Sequence, residues 1–291
     1  MTRGRTLDDL VRHGRAKLAT TDFGAAPREA LLLVARVLGL NEAQVLARGR
    51  QEVSEEQHVR FVELLERRVT GEPVAYLFGE REFYGRSFRV DPRVLIPRPE
   101  TEHLVETALS LPLPREPWIL DVGTGSGCIA VTLALELPGA RLVAADLSFD
   151  ALAVALDNAR RLGASERIFG LRTDLAAGLD LERFDLLVSN PPYVDRADAP
   201  SLSPEVTAYE PHTALFAEDR GFAALSGLLD AALELRPGRP LLVEIGAGQL
   251  DRVVAGAEAR GLEVLQVVAD YASIPRTVAL ARPEAPDTTL S

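Results

Sequence analysis

From Trp118 onward the chain alternates short apolar runs with stretches of helical period, and few folds accommodate that pattern. Candidate strands are 118–122, 141–146, 167–173, 184–189, 240–245, 262–269 and 276–282, with helical patterns in most of the gaps. Short apolar runs separated by helices imply a largely parallel sheet covered on both faces. The last two runs leave no room for a helix between them, so they are expected to pair antiparallel at one edge.

The first 70 or so residues read as helices. Leu10, Val11, Ala16 and Leu18 are the apolar positions of the first. The second opens with Pro27 and closes at Gly39, a start and a stop in the expected order. Ser54-Glu55-Glu56-Gln57 matches a capping box, and Val59, Val62, Leu65 and Val69 after it fall on one helical face, flanked by Phe61 and Leu64. Gly71 ends that run. Residues 73–91 change period, with Phe83, Phe88 and Val90 around a Tyr84-Gly85 turn, which reads as a hairpin. The expected division is a helical domain over 1–72, a hairpin linker over 73–92 and an α/β domain over 93–291. A polar tail follows about Arg282.

Composition narrows the setting. One cysteine, Cys128, excludes an internal disulfide and fits a reducing cytoplasm. No run of 18 apolar residues suggests a membrane span, and the opening MTRGRTLDDLV has no apolar signal-peptide core. Net charge is -11, and residues 1–85 are neutral, so the whole excess lies in 86–291. No basic stripe suited to gripping nucleic-acid phosphates stands out.

Asp121-Val122-Gly123-Thr124-Gly125-Ser126-Gly127 follows the run Trp118-Ile119-Leu120 and precedes a helical pattern. A glycine-rich strand-to-helix turn lets a ligand approach the backbone. The spacing is Gly-x-Gly-x-Gly, with Cys128 where a dinucleotide fingerprint would place glycine, so it suits a nucleoside that has no pyrophosphate to seat. Asp121 is placed to face a cationic group, such as the ammonium of S-adenosylmethionine. Asp146, at the end of the next strand, is a candidate acceptor for ribose hydroxyls, although an acid at a helix N-terminus reads the same way. Asp174 sits where an acid meets an adenine amino group, and Leu175 beside it joins the candidate cofactor set.

The run 184–189 leads straight into Asn190-Pro191-Pro192-Tyr193. Open parallel sheets bind ligands beyond the carboxyl ends of their strands, so this tetrapeptide is expected beside the glycine turn. Its prolines stiffen the backbone and donate no hydrogen bond. What remains is an acceptor on the Asn190 side chain, the Pro191 carbonyl and the flat face of Tyr193. Two acceptors on the two protons of a planar nitrogen would fix it and aim it at an electrophilic methyl, with Asn190, Pro191 and Tyr193 as the catalytic set and Pro192 as a further substrate contact. His13, His58, His103 and His212 show no metal-ligand spacing, and Cys128 reads as a packing residue.

With these residues the chain resembles the bacterial peptide-chain release factor glutamine methyltransferases. The resemblance spans nearly the whole chain. It includes Gly71-Glu72-Pro73-Val74-Ala75-Tyr76, Val94-Leu95-Ile96-Pro97-Arg98-Pro99-Glu100-Thr101-Glu102, the glycine turn, Asn190-Pro191-Pro192-Tyr193, Tyr209-Glu210-Pro211 and Val243-Glu244-Ile245-Gly246. It implies a Rossmann-like seven-stranded methyltransferase sheet joined by a hairpin to a small all-α domain. It implies S-adenosyl-L-methionine as cofactor, also contacted by Asn190, and a release factor as protein substrate. The methyl acceptor would be the glutamine of its Gly-Gly-Gln loop, held by Asn190 and Pro191. The chain departs from the pattern at Ala217-Glu218-Asp219-Arg220-Gly221, where a more glycine-rich stretch is expected. Rival readings are a sister enzyme acting on a ribosomal protein, a DNA adenine-amino methyltransferase, a nicotinamide oxidoreductase and a non-catalytic binding module. The acidic balance opposes the DNA enzyme, and the glycine spacing opposes the oxidoreductase.

Overall fold

The computed structural model describes residues 5–21 and 26–284, so the first four residues and most of the polar tail lie outside the described residues. Two compact units appear: residues up to Gly79 together with Ser201–Tyr209, and Glu80–Pro200 together with the chain from Glu210.

The first unit holds α1 (Leu7–Leu18), α2 (Ala26–Leu38), α3 (Glu42–Ala47), α4 (Glu55–Val69) and α5 (Val74–Phe78). The capping box read at Ser54 is present. Gln57 N–H donates to Ser54 Oγ at 3.2 Å, and Ser54 N–H donates to Gln57 Oε1 at 3.0 Å. The buried face of α4 differs from the expected one. Val59 is 48% exposed, whereas Phe61, Leu65 and Arg68 are fully buried. A buried arginine can occupy the inner stripe because its charge is matched. Its Nε and Nη2 donate to Glu29 at 2.8 and 3.1 Å, and Nη1 lies 3.1 Å from Glu205. Residues 74–78, read as part of the hairpin, are helix. Pro73 starts the turn and Gly79, at φ +70°, stops it.

The second unit begins with the hairpin β1 (Glu80–Phe83) and β2 (Arg86–Arg89), followed by α6 (Glu102–Ser110). Then come β3 (Trp118–Val122), α7 (Cys128–Glu136), β4 (Arg141–Asp146), α8 (Phe149–Arg161), β5 (Ile168–Arg172) and β6 (Leu186–Ser189). After α9 (Pro204–Tyr209), which belongs to the helical unit, the chain continues with α10 (His212–Leu215), α11 (Glu218–Gly221), α12 (Ala223–Ala232), β7 (Pro240–Glu244), α13 (Leu250–Glu258), β8 (Glu263–Ala269) and β9 (Pro275–Ala281).

Seven strands pair in the order β5-β4-β3-β6-β7-β9-β8. The first five in that order are parallel, and β9 runs antiparallel to both β7 and β8, as the short link between the last two runs required. One apolar cluster, including α6, α7 and the hairpin residues Phe83 and Phe88, and another, including α12 and α13, supply buried side chains together with the strands. Strands covered twice need no polar face, and all five residues of β7 are buried. Each fully buried Leu, Ile or Val there contributes about 1.5–3 kcal/mol. From β3 the strand order runs outward one way through β4 and β5 and the other way through β6 and β7. The carboxyl ends of β3 and β6 therefore flank a switch point, where the loops leave in opposite directions and open a crevice.

Candidate active site

The glycine turn and the tetrapeptide both emerge at that switch point. Val122 pairs with Ser189, so Gly123 and Asn190 are the next residues on adjacent strands. The approach is close: a Cβ on Gly123 would sit 3.9 Å from the Asn190 carbonyl oxygen. Gly127 has φ +78°, and a Cβ there would press on the Ala155 backbone at 3.0 Å, so only glycine lets α7 start this near α8.

The acids at the strand ends brace this turn. Asp121 is fully buried, and its Oδ2 accepts from Thr124 Oγ1 at 2.7 Å and from the Ala130 N–H at 3.2 Å. Its Oδ1 is buried with no partner among the described residues. Burial pushes the Asp121 carboxyl up to about 7, against the two hydrogen bonds that favour its charged form. Asp146 accepts from Gly125 N–H at 2.9 Å through Oδ2 and from Ser148 N–H at 2.8 Å through Oδ1. It thus serves the turn and the start of α8 together. A carboxylate has about four acceptor positions, so two remain for a ligand. Asp174 is exposed just past β5, and Leu175 takes a left-handed φ of +48°. Ser126 is buried, and its carbonyl accepts from Asn158, whose amide also holds Arg89 of the hairpin.

Around the tetrapeptide the structure assembles groups to which sequence reasoning gave no role. Asn190 Nδ2 donates to Thr101 Oγ1 at 3.0 Å, and Thr101 Oγ1 donates to Glu244 Oε2 at 2.7 Å. The Tyr193 hydroxyl donates to Glu244 Oε1 at 3.3 Å. Burial raises the Tyr193 phenol, and the neighbouring Glu244 carboxylate adds to it. Gln249 Nε2 donates to the Tyr193 carbonyl at 2.9 Å, and a Cβ on Gly246 would meet the Tyr193 ring at 3.0 Å. Pro191 is buried and Pro192 half-buried. The segment Ile96–Thr101 is itself pinned. Glu210 accepts from the Ile96 N–H at 3.2 Å and from Arg98 Nη2 at 2.6 Å. A signal for Glu244 was present: it is an acid at the end of an otherwise apolar strand.

Cys128 is buried at the start of α7, and desolvation pushes its thiol up to about 12, which makes it a packing group.

A family model described as "PrmC N-terminal domain" matches residues 9–79, and one described as "Methyltransferase small domain" matches residues 101–206. A release factor glutamine methyltransferase of Koribacter versatilis is 40% identical over 97% of this chain and 99% of its own. Another, from Cereibacter sphaeroides, is 41% identical over 95% of this chain and 99% of its own.

The chain belongs to the release factor glutamine methyltransferase family.

Like the family it is an S-adenosylmethionine-dependent methyltransferase. The solved hMettl16 catalytic domain in complex with the MAT2A 3'UTR hairpin 6 shares its fold, with a TM-score of 0.56 over 79% of this chain and 83% of that one. At 18% identity that likeness concerns the fold alone. Among the described residues no helix is long and apolar enough to cross a membrane.

Proposed function

We propose that this methyltransferase acts on a peptide-chain release factor, methylating the side-chain amide nitrogen of the glutamine in its Gly-Gly-Gln loop. Such a substrate belongs to translation, so the work is cytoplasmic. The observation that supports the reading is that Asn190 leaves β6 beside Gly123, the first glycine of the turn after β3, at the switch point.

The residues fit the cofactor. Asp121 Oδ1 is a buried acceptor with no partner among the described residues, suited to an ammonium, and Asp146 has acceptor positions left for ribose hydroxyls. Asp174 and Leu175 stand past the end of β5, beyond Asp146 in the sheet order, where the adenine end would lie. When bound, S-adenosylmethionine supplies an electrophilic methyl group.

The task of the chain is positioning and electrostatic preorganisation. A glutamine amide nitrogen is a poor nucleophile because its lone pair is delocalised into the carbonyl. Asn190 Oδ1 accepts one amide proton and the Pro191 carbonyl accepts the other, which holds the nitrogen and favours positive charge developing on it. Tyr193, tethered through its hydroxyl, presents a ring against the amide plane.

Asn190→Ala tests this directly. Loss of one aimed acceptor should slow single-turnover methylation at saturating cofactor by roughly 10²–10³. A wild-type rate in that variant would mean that the tetrapeptide is only a rigid loop.

A further inference from the structure

We infer that Thr101 and Glu244 form a positioning relay that fixes which end of the Asn190 side-chain amide faces the substrate. The inference rests on the role given to Asn190 above.

A terminal amide has two ends of nearly equal size and opposite hydrogen-bonding character. Turned one way, Asn190 offers the substrate an acceptor; turned the other way, it offers a donor, which would repel the N–H groups of a glutamine amide. Something must choose. Thr101 Oγ1 touches one end of the amide at 3.0 Å. A hydroxyl donates one proton, so the direction of that contact depends on where the Thr101 proton goes. With Glu244 ionised it goes to Oε2, at 2.7 Å, because a carboxylate only accepts. The Thr101 oxygen is left as an acceptor toward Asn190. Only Nδ2 can then face it, and Oδ1 is turned away from Thr101.

The relay is shielded from solvent. Thr101 and Glu244 are each 2% exposed, so water does not compete for the hydroxyl. It is also held from outside. Glu210 pins the segment that carries Thr101, and Glu244 closes the buried strand β7. The other Glu244 oxygen receives the Tyr193 hydroxyl at 3.3 Å, so one carboxyl group orients both polar side chains of the tetrapeptide. Burying an acid costs stability, and a core position at the end of an apolar strand would be filled more favourably by an aliphatic residue. Its presence is explained by the two hydroxyl protons it directs.

The test is a set of variants that keep shape and change the hydroxyl. Thr101→Val removes the hydroxyl at nearly constant volume, and Thr101→Ser keeps it. Single-turnover methylation of a purified release factor at saturating cofactor should slow about five- to tenfold in Thr101→Val, the worth of one net hydrogen bond, and stay within about twofold of wild type in Thr101→Ser. In an Asn190→Ala background Thr101→Val should cost nothing further, because groups that act through one another are not additive. A readout without turnover accompanies these. The proton–nitrogen correlation signals of the Asn190 side-chain amide, assigned by their loss in Asn190→Ala, should move toward a free amide in Thr101→Val and not in Thr101→Ser. A wild-type rate in Thr101→Val, unmoved amide signals, or a loss that multiplies in full with that of Asn190→Ala overturns the relay. A wild-type rate in Asn190→Ala instead removes the assignment on which it rests.

Discussion

Two carboxyl groups sit at the carboxyl edge of the sheet where water does not reach. Burial pushes Glu244 up to about 7, against the hydrogen bonds from Thr101 and Tyr193 and the nearby charge of Arg276 that favour its charged form. Asp121 is raised to a similar value by the same cause. In the unfolded chain such groups titrate near 4. Between that value and about 7 the folded protein therefore binds more protons than the unfolded one, so these groups lower stability as pH rises through the window. Their cost is absent below the unfolded value and complete above the folded one. Replacing Glu244 with Gln removes one of the two titrations. The stability of wild type relative to Glu244→Gln should fall by on the order of 1–3 kcal/mol between about pH 5 and pH 8. Thermal unfolding of both proteins across that range checks this, and a constant difference would show that Glu244 is ionised throughout.

Element by element, the turn after α10 shows how local conformation and sequence disagree. Asp219 and Arg220 have φ values of +52° and +50°, and Gly221 follows at +76°. Three left-handed residues in succession account for the glycine-rich stretch that the family resemblance led one to expect here. This chain keeps the conformation with two side chains that disfavour it, at a cost of roughly 1–2 kcal/mol each. Asp219 is partly compensated, since Arg252 Nη2 donates to its carboxylate at 2.6 Å and Nη1 to its carbonyl at 2.9 Å. Gly221 admits no such compromise, because a Cβ there would overlap the Tyr193 carbonyl. Gly221→Ala should therefore lower stability by about 2–3 kcal/mol and displace the backbone of Tyr193, reducing methyl transfer with it. Denaturant unfolding together with a turnover assay checks both parts.

On the scale of the whole molecule, the chain leaves the sheet unit after Pro200, contributes Ser201–Tyr209 to the helical unit and returns at Glu210. Within the helical unit Arg68 secures the visiting segment through Glu205, and the Tyr209 hydroxyl donates to the Thr70 carbonyl at 3.0 Å. Arg68→Met leaves Glu29 and Glu205 without their shared cation. Breaking a buried pair from one side should cost the helical unit roughly 3 kcal/mol. Limited proteolysis read by mass spectrometry should then find cleavage within 201–209 that wild type resists, and an unchanged pattern would mean that other contacts hold the segment. Removing the helices outright is a poorer experiment, because it strips this segment of its partners as well.

Much of the architecture follows from neighbours along the chain. Apolar runs between helices specify a twice-covered sheet, the short link before the last run forces an antiparallel edge, and Ser54 and Gln57 cap α4 within one turn. The glycine turn and the tetrapeptide lie at strand ends for the same local reason. Periodicity says which side of a helix is apolar, not which charged residue will find partners inside. The inner face of α4 thus ran through Arg68 rather than Val59, a choice made by Glu29 and Glu205. The direction of a hydroxyl proton is still further from local control. Thr101 and Glu244 stand 143 positions apart, and Thr101 and Asn190 stand 89 apart. Each is an ordinary residue in its own segment. Folding the sheet brings an acceptor of one proton and a donor of another to opposite sides of one oxygen, and only that meeting gives the Asn190 amide its orientation.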